Sequence, residues 1–223
     1  MFSNSVTVLY YTANKEKPGF EEKIIANLKK QAGSLPIVSV SQKPLDLGHN
    51  ICVGPQHPCY FNEFRQIRIG LDEVKTPFVL SAESDFLYPP EYFHLDPFIK
   101  RPTYRYKNVW VLNQTDSLFR FKRVSDGAQM VRVDVWKQSI DKSLAGQPEW
   151  VTSETDKGIA RVQPDARSSW AWFGNPAITF KTQENIHQKT QLVRGFPPSG
   201  KLLYWGTVQK VKEEMFGDIA DNS

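Results

Sequence analysis

Cysteine and histidine are scarce in this 223-residue chain, with two of one and four of the other. Cys52 and Cys59 flank a loop that holds Gly54, Pro55, His57 and Pro58. Two Cys and one His do not complete a four-ligand zinc site, and no second pair exists elsewhere. Two free thiols are expected in a reducing compartment. No run approaches the ~20 apolar residues that a membrane span requires. The opening Met1-Phe2-Ser3-Asn4-Ser5 lacks the basic and apolar regions of a signal peptide, so a cytoplasmic location is expected. No Gly-x-Gly-x-x-Gly follows the first apolar segment, and there is no Gly-Lys-Ser/Thr. Both absences argue against a dinucleotide dehydrogenase and a P-loop enzyme. Internal repeats and low-complexity tracts are missing as well.

What the chain does have is enough apolar material to bury a core, at 40% hydrophobic and 23% charged residues. Its length suits a single domain, expected to span 1–223. The segment VTVLYY at 6–11 is apolar and β-branched, and predicts a strand. Residues 20–31 place Ile24, Ile25 and Leu28 among charges, the pattern of an amphipathic helix. LPIVSV at 35–40 predicts a second strand, and 41–58 reads as an irregular Gly/Pro/His-rich stretch. In 62–74, Phe64, Ile67, Leu71 and Val74 recur at spacings of three and four, which predicts a second helix. The run 77–80 predicts a third, fully buried strand. Strand, helix, strand, helix, strand over 85 residues implies right-handed crossovers and a parallel sheet, a Rossmann-like nucleotide-binding half at 1–99.

The second half, 100–223, changes character. TYRYKNVWVL, ending at 112, and LFRFKRV at 118–124 predict two strands joined by a turn at 113–117, a β-hairpin. In the second of them Phe119 and Phe121 would face one side, and Arg120 and Lys122 the other. Residues 130–144 fit either a strand or a helix around Val133, Val135 and Trp136. The Trp-rich stretch 148–176 reads as loops, 177–181 as a strand, and 203–216 holds a short terminal helix.

The most informative feature is Glu83-Ser84-Asp85, two carboxylates one residue apart where the 77–80 strand runs out. Acids at the carboxyl end of a parallel sheet lie where open α/β folds bind ligands. Hard oxygen ligands this close together suit Mg²⁺ or Mn²⁺ carrying a diphosphate. Two readings of the pair stand at this point, a solvated acidic turn and a cation site.

Four passages together resemble the metal-dependent GT-A glycosyltransferases, in particular the family-two-like enzymes found in bacteria and their phages. They are the VTVLYYTAN opening; the helix carrying Asn62, Arg65 and Gln66; AESDFLYPPEYF from Ala82 to Phe93; and Phe180-Lys181-Thr182 with Asn185 and His187, then Tyr204-Trp205-Gly206. The third looks like the family's Asp-x-Asp metal motif followed by a Tyr-Pro-Pro turn, with Glu83 as the first acid. The resemblance implies an α/β GT-A domain, with a mostly parallel central sheet flanked by helices and an acceptor-side region after residue 100. It implies transfer of a sugar from a nucleotide sugar, most often a UDP-sugar, to an acceptor hydroxyl. Asp85 would ligate the metal, Glu83 would act through water or on the ribose, and His187 would complete the metal shell. Thr12 and Asn14 would hold the nucleoside, with Arg65 and Gln66 polar toward the nucleotide. An inverting enzyme needs a carboxylate to deprotonate the acceptor; Glu149, Glu154 and Asp156 are candidates, and Glu154 is the expected one. Trp150, Trp170 and Trp172 are candidates for stacking on sugar rings.

Between Lys100 and Arg132 there are eight basic and two acidic residues, so this segment carries +6 of a net +4 and the rest of the chain −2. Basic side chains interleaved with Tyr and Phe suit a nucleic-acid surface. A modified DNA base is therefore one acceptor to consider, beside glycans, lipids and proteins, with a solvated basic hairpin as the plain alternative. Two rival functions are a sugar-phosphate nucleotidylyltransferase and a non-catalytic nucleic-acid-binding protein.

Overall fold

The computed structural model describes residues 5–97, 101–153, 169–186 and 191–217. Apart from β3, the first half alternates as its pattern predicts: β1 (Val6–Thr12), α1 (Pro18–Ala32), β2 (Ile37–Ser41), β3 (His49–Cys52), α2 (Tyr60–Glu73) and β4 (Phe78–Glu83). A short β5 (Phe86–Leu87) and a 3₁₀ turn (Pro90–Phe93) follow the acids. The second half supplies β6 (Thr103–Tyr106), β7 (Val109–Asn113), β8 (Arg120–Arg123), β9 (Gln129–Arg132), α3 (Val133–Leu144), β10 (Trp170–Trp172) and β11 (Ala177–Lys181). It ends with β12 (Lys201–Leu202), β13 (Gly206–Thr207) and α4 (Val208–Phe216).

Seven strands form the main sheet in the order β10-β6-β9-β4-β1-β2-β3. β4, β1, β2 and β3 run parallel, and β9 enters antiparallel to both β4 and β6. A second sheet has the order β5-β11-β7-β8. Alternation along β1 divides the core. Val6, Val8 and Tyr10 face α1 residues Phe20, Ile24 and Leu28 together with the second sheet. Leu9 and Tyr11 face α2 and α3, through Phe61, Phe64, Ile67, Leu71, Trp136 and Ile140. Gly70 allows α2 to sit this close: a Cβ there would lie 2.4 Å from Leu9 Cδ1 and 2.8 Å from Val40 Cγ2.

Three local expectations are corrected. TYRYKNVWVL is not one strand. It splits at Lys107-Asn108, giving β6 to the main sheet and β7 to the second, because the Lys107 amide bonds Trp172 O and the Asn108 side chain bonds Gly174 O. Residues 130–144 are both a strand end and a helix, β9 running directly into α3 at Arg132. The stretch 41–58 contains β3, a parallel edge strand whose hydrophilic His49 and Asn50 hid it from a hydrophobicity pattern. Cys52 and Cys59 are free thiols. No described helix is long and apolar enough to cross a membrane.

Candidate functional site

The parallel strands end on a cleft of about 490 Å³, lined from β1 by Tyr11 and Thr12, from β4 and its turn by Glu83, Ser84 and Asp85, and from the second sheet by Lys122, Thr179 and Lys181. Its other wall is the end of β2 and the start of α2, with Gln42, His57 and Asn62. The volume is within the ~300–1,000 Å³ typical of small-molecule sites.

The two acids are held differently. Glu83 closes β4 in register with Tyr11, whose hydroxyl donates to Glu83 Oε1 at 2.9 Å. Its carboxylate lies against Gly127, where a Cβ would come within 2.3 Å of Glu83 Oε2, so a side chain at 127 would displace the acid. The turn beyond is clamped by Tyr88, which accepts from the Glu83 amide at 3.1 Å and donates to Gly127 O at 2.6 Å. Asp85 Oδ2 accepts from Asn185 Nδ2 at 3.0 Å and from Thr179 Oγ1 at 3.4 Å, while the Phe180 amide donates to Asp85 O at 2.8 Å. Asp85 Oδ1 is buried with no hydrogen-bond partner among the described residues. A buried carboxylate oxygen left bare is costly unless something else satisfies it.

Burial and the neighbouring Asp85 charge push the Glu83 carboxyl up to about 7, against the pull of Tyr11 and Lys122. Burial also raises Asp85, opposed by the charges of Lys181 and Lys122 and by the Asn185 bond. Glu16, on the loop after β1, is raised to about 7 by burial although Thr182 Oγ1 donates to it at 2.8 Å. Burial pushes the Lys122 ammonium down. These are the conditions under which carboxylates take up a cation: desolvated, mutually repelling, and short of donors. Among the described residues no three His, Cys, Asp or Glu side chains converge on one point. The donor set fits a divalent cation held by Asp85 and by the Glu83 carboxylate or water beside it, with diphosphate and water oxygens completing the shell, the manner in which Mg²⁺-type ions bind phosphate substrates.

The other expected residues are distributed less simply. Thr12 lines the cleft, but its hydroxyl donates to Glu21 Oε1 at 2.7 Å. Asn14 is in the left-handed region at φ 48°, and its Oδ1 accepts from the Gln42 and Lys43 amides at 2.8 and 2.9 Å. It fastens the β1 loop to the β2 loop. Gln66 reaches back from α2 to Thr12 O at 3.0 Å and Val40 O at 3.4 Å, tying the two strand ends together. Asn62 bonds His57 O and both backbone groups of Val151. Arg65 lies outside the cleft lining; it bonds Pro148 O and lies over the Phe61 ring. Glu149 is exposed. Trp172 is in the core against Tyr92 and Tyr106, and Trp170 is an exposed edge residue under Arg101. Glu154, Asp156 and His187 lie outside the described residues.

Two cleft residues escaped the sequence reading. Gln42 is 6% exposed and lines the cleft; its Oε1 accepts from the Gln56 amide at 2.9 Å, which fixes the amide and leaves the buried Nε2 a donor with no partner among the described residues. His57 Nε2 is likewise buried without a partner among the described residues. Neither belongs to a motif, so only their burial beside the cleft singles them out.

Four of the eight basic residues of the 100–132 segment are engaged in the fold or the cleft. Arg105 is buried in an ion pair with Asp126 at 2.7 Å, Arg120 pairs with Asp116, Arg132 with Asp134, and Lys122 lines the cleft.

A mixed α/β chain with a mostly parallel central sheet, helices on both faces and acids at the strand ends has the GT-A type of fold. No family model matches the chain, and no curated protein matches its sequence. Solved structures match it in shape. Residues 1–349 of TarS from S. aureus, in complex with UDP-GlcNAc, superpose with a TM-score of 0.50 at 11% identity, over 81% of this chain and 60% of that one. The mannosyltransferase PcManGT from Pyrobaculum calidifontis, in complex with GDP-Man and Mn²⁺, gives 0.43 at 15% identity over 78% and 56%. The bifunctional IspDF from Campylobacter jejuni gives 0.42 at 13% identity over 76% and 49%. The chain thus spans about half to three fifths of the length of these proteins. The likeness to TarS is one of fold.

Proposed function

We propose that this chain is a metal-dependent glycosyltransferase that moves a sugar from a nucleotide sugar, with UDP-sugar as the favoured donor, to an acceptor hydroxyl. The observation that carries the reading is Asp85, which lines a nucleotide-sized cleft at the carboxyl end of the parallel strands and whose buried Oδ1 has no hydrogen-bond partner among the described residues. The fold shared with a protein bound to UDP-GlcNAc supports it.

In this reading Asp85 holds Mn²⁺ or Mg²⁺, with Glu83 beside it. Bound there, the cation would offset the negative charge that develops on the departing diphosphate. Gln42 Nε2 and His57 face the nucleobase, while Thr12, Asn14 and Gln66 shape the wall behind it. Glu154 is assigned as the carboxylate that takes the acceptor proton, and His187 as a further metal ligand. The cleft opens between a donor-binding half at 1–99 and an acceptor side at 100–223. The pairing of Arg105, Arg120 and Arg132 with aspartates favours a glycan or another uncharged hydroxyl acceptor over a DNA base.

The deciding experiment is a thermal-shift screen of nucleotides and nucleotide sugars with Mn²⁺, run on the native protein and on Asp85→Asn. Stabilisation of the native protein by UDP with Mn²⁺, absent in Asp85→Asn, is expected. Equal stabilisation of both proteins would remove Asp85 from the metal site.

A further inference from the structure

Lys122 stands in an unusual electrostatic position. It lies on β8 and lines the same cleft as Glu83, Asp85 and Asp126. Among the described residues its hydrogen bond goes to Ser125 Oγ at 2.7 Å, and it forms no ion pair with any of the three acids. An ammonium carries three donors, so two remain to face the cleft. Ser125 is buried beside Asp126-Gly127, the segment against which the Glu83 carboxylate rests. The lysine is therefore held by the wall of the site next to the acids without being spent on them.

We propose that Lys122 couples the two ligands of the cleft: it opposes a divalent cation that arrives alone and holds the diphosphate that arrives with it. The inference rests on the nucleotide-sugar reading above. A cation at Asp85 would meet the positive charges of Lys122 and Lys181, which both act on that carboxylate, and among the described residues no three His, Cys, Asp or Glu side chains gather to hold it, although six carboxylates line the cleft. A diphosphate supplies the remaining ligand oxygens, offers oxygens to the Lys122 N–H donors not taken by Ser125, and turns the repulsion into a shared attraction. Linkage makes the effect reciprocal, so the metal strengthens nucleotide binding by the same factor. Lys181, also on the cleft, adds charge of the same sign from β11.

Calorimetric titration of Mn²⁺ with and without UDP, corrected for Mn²⁺ bound by free UDP, tests this on native protein, Lys122→Met and Lys122→Arg. Native protein should bind Mn²⁺ about tenfold more tightly with UDP present, within the usual range of coupling between sites. Lys122→Met should bind Mn²⁺ alone more tightly than native protein does, bind UDP more weakly, and lose most of the coupling; Lys122→Arg should keep it. Lys122→Gln, able to keep the Ser125 bond, decides the matter where Lys122→Met does not fold. Unchanged or weaker binding of Mn²⁺ alone by a folded neutral variant overturns the proposal while leaving the nucleotide-sugar reading standing. Native protein that binds neither Mn²⁺ nor UDP overturns both.

Discussion

Tyr11 and Glu83 face each other in register on adjacent parallel strands, and the tyrosine hydroxyl donates a 2.9 Å hydrogen bond to Glu83 Oε1. A residue on β1 thereby fixes the acid that ends β4, where the cleft begins. Tyr11→Phe keeps the ring and removes the donor, leaving a buried carboxylate oxygen bare. The expected cost is about 1–3 kcal/mol of stability at pH 8 in EDTA, read from the urea midpoint. An unchanged midpoint would show that the bond contributes nothing.

Glu16 predicts a pH dependence. Its carboxyl is raised from 4.5 to about 7 in the folded chain, by burial and by the charges of Asp85, Glu184 and Glu21. Between those values the folded state holds the proton that the unfolded state has lost. Stability of the metal-free protein therefore falls as pH rises from about 5 to about 7 and levels off above that. Glu16→Gln should show a shallower fall in melting temperature over the same window. A parallel curve would assign the fall to other groups.

Gln42→Glu exchanges one atom. The retained oxygen still accepts from the Gln56 amide, but the buried donor at the cleft wall becomes an acceptor. Affinity for UDP in the presence of Mn²⁺ should drop about tenfold or more, since a lost hydrogen bond to a neutral partner is worth ~0.5–1.5 kcal/mol and an acceptor facing an acceptor costs further. Native-like affinity would place the base elsewhere.

Arg105 separates a structural role from nucleic-acid contact. Its guanidinium is 6% exposed and bonded to Asp126. Arg105→Ala should destabilise the fold by about 3 kcal/mol, because the partly buried Asp126 loses its guanidinium partner. It should leave the salt dependence of any DNA binding unchanged. A phosphate contact would instead lower the log–log salt slope by about 1.

The chain's own pattern made β1, α1, β2, α2 and β4 legible, since 3.6-residue periodicity and short apolar runs follow from which faces must be buried. It also marked Glu83 and Asp85, because an acid pair ending an apolar strand conflicts with burial unless it serves something. The hairpin was half legible. Alternation located β7 and β8, yet not the break at Lys107-Asn108, which depends on bonds to Trp172 and Gly174 more than sixty residues away.

The alternation of strand and helix, the parallel sheet it implies and the place of the acids at a strand end thus followed from sequence alone, because local periodicity and crossover handedness leave few alternatives. Tertiary structure decided which polar groups are spent and which are left bare. Arg105, expected on a basic face, is consumed by Asp126. Asn14 and Gln66, expected on the nucleotide, hold strand ends together. Asp85 Oδ1, Gln42 Nε2 and two donors of Lys122, all on residues that line the cleft, are without a partner among the described residues. Whether a polar atom is free is settled by neighbours distant in the chain, and no local pattern of residues encodes it.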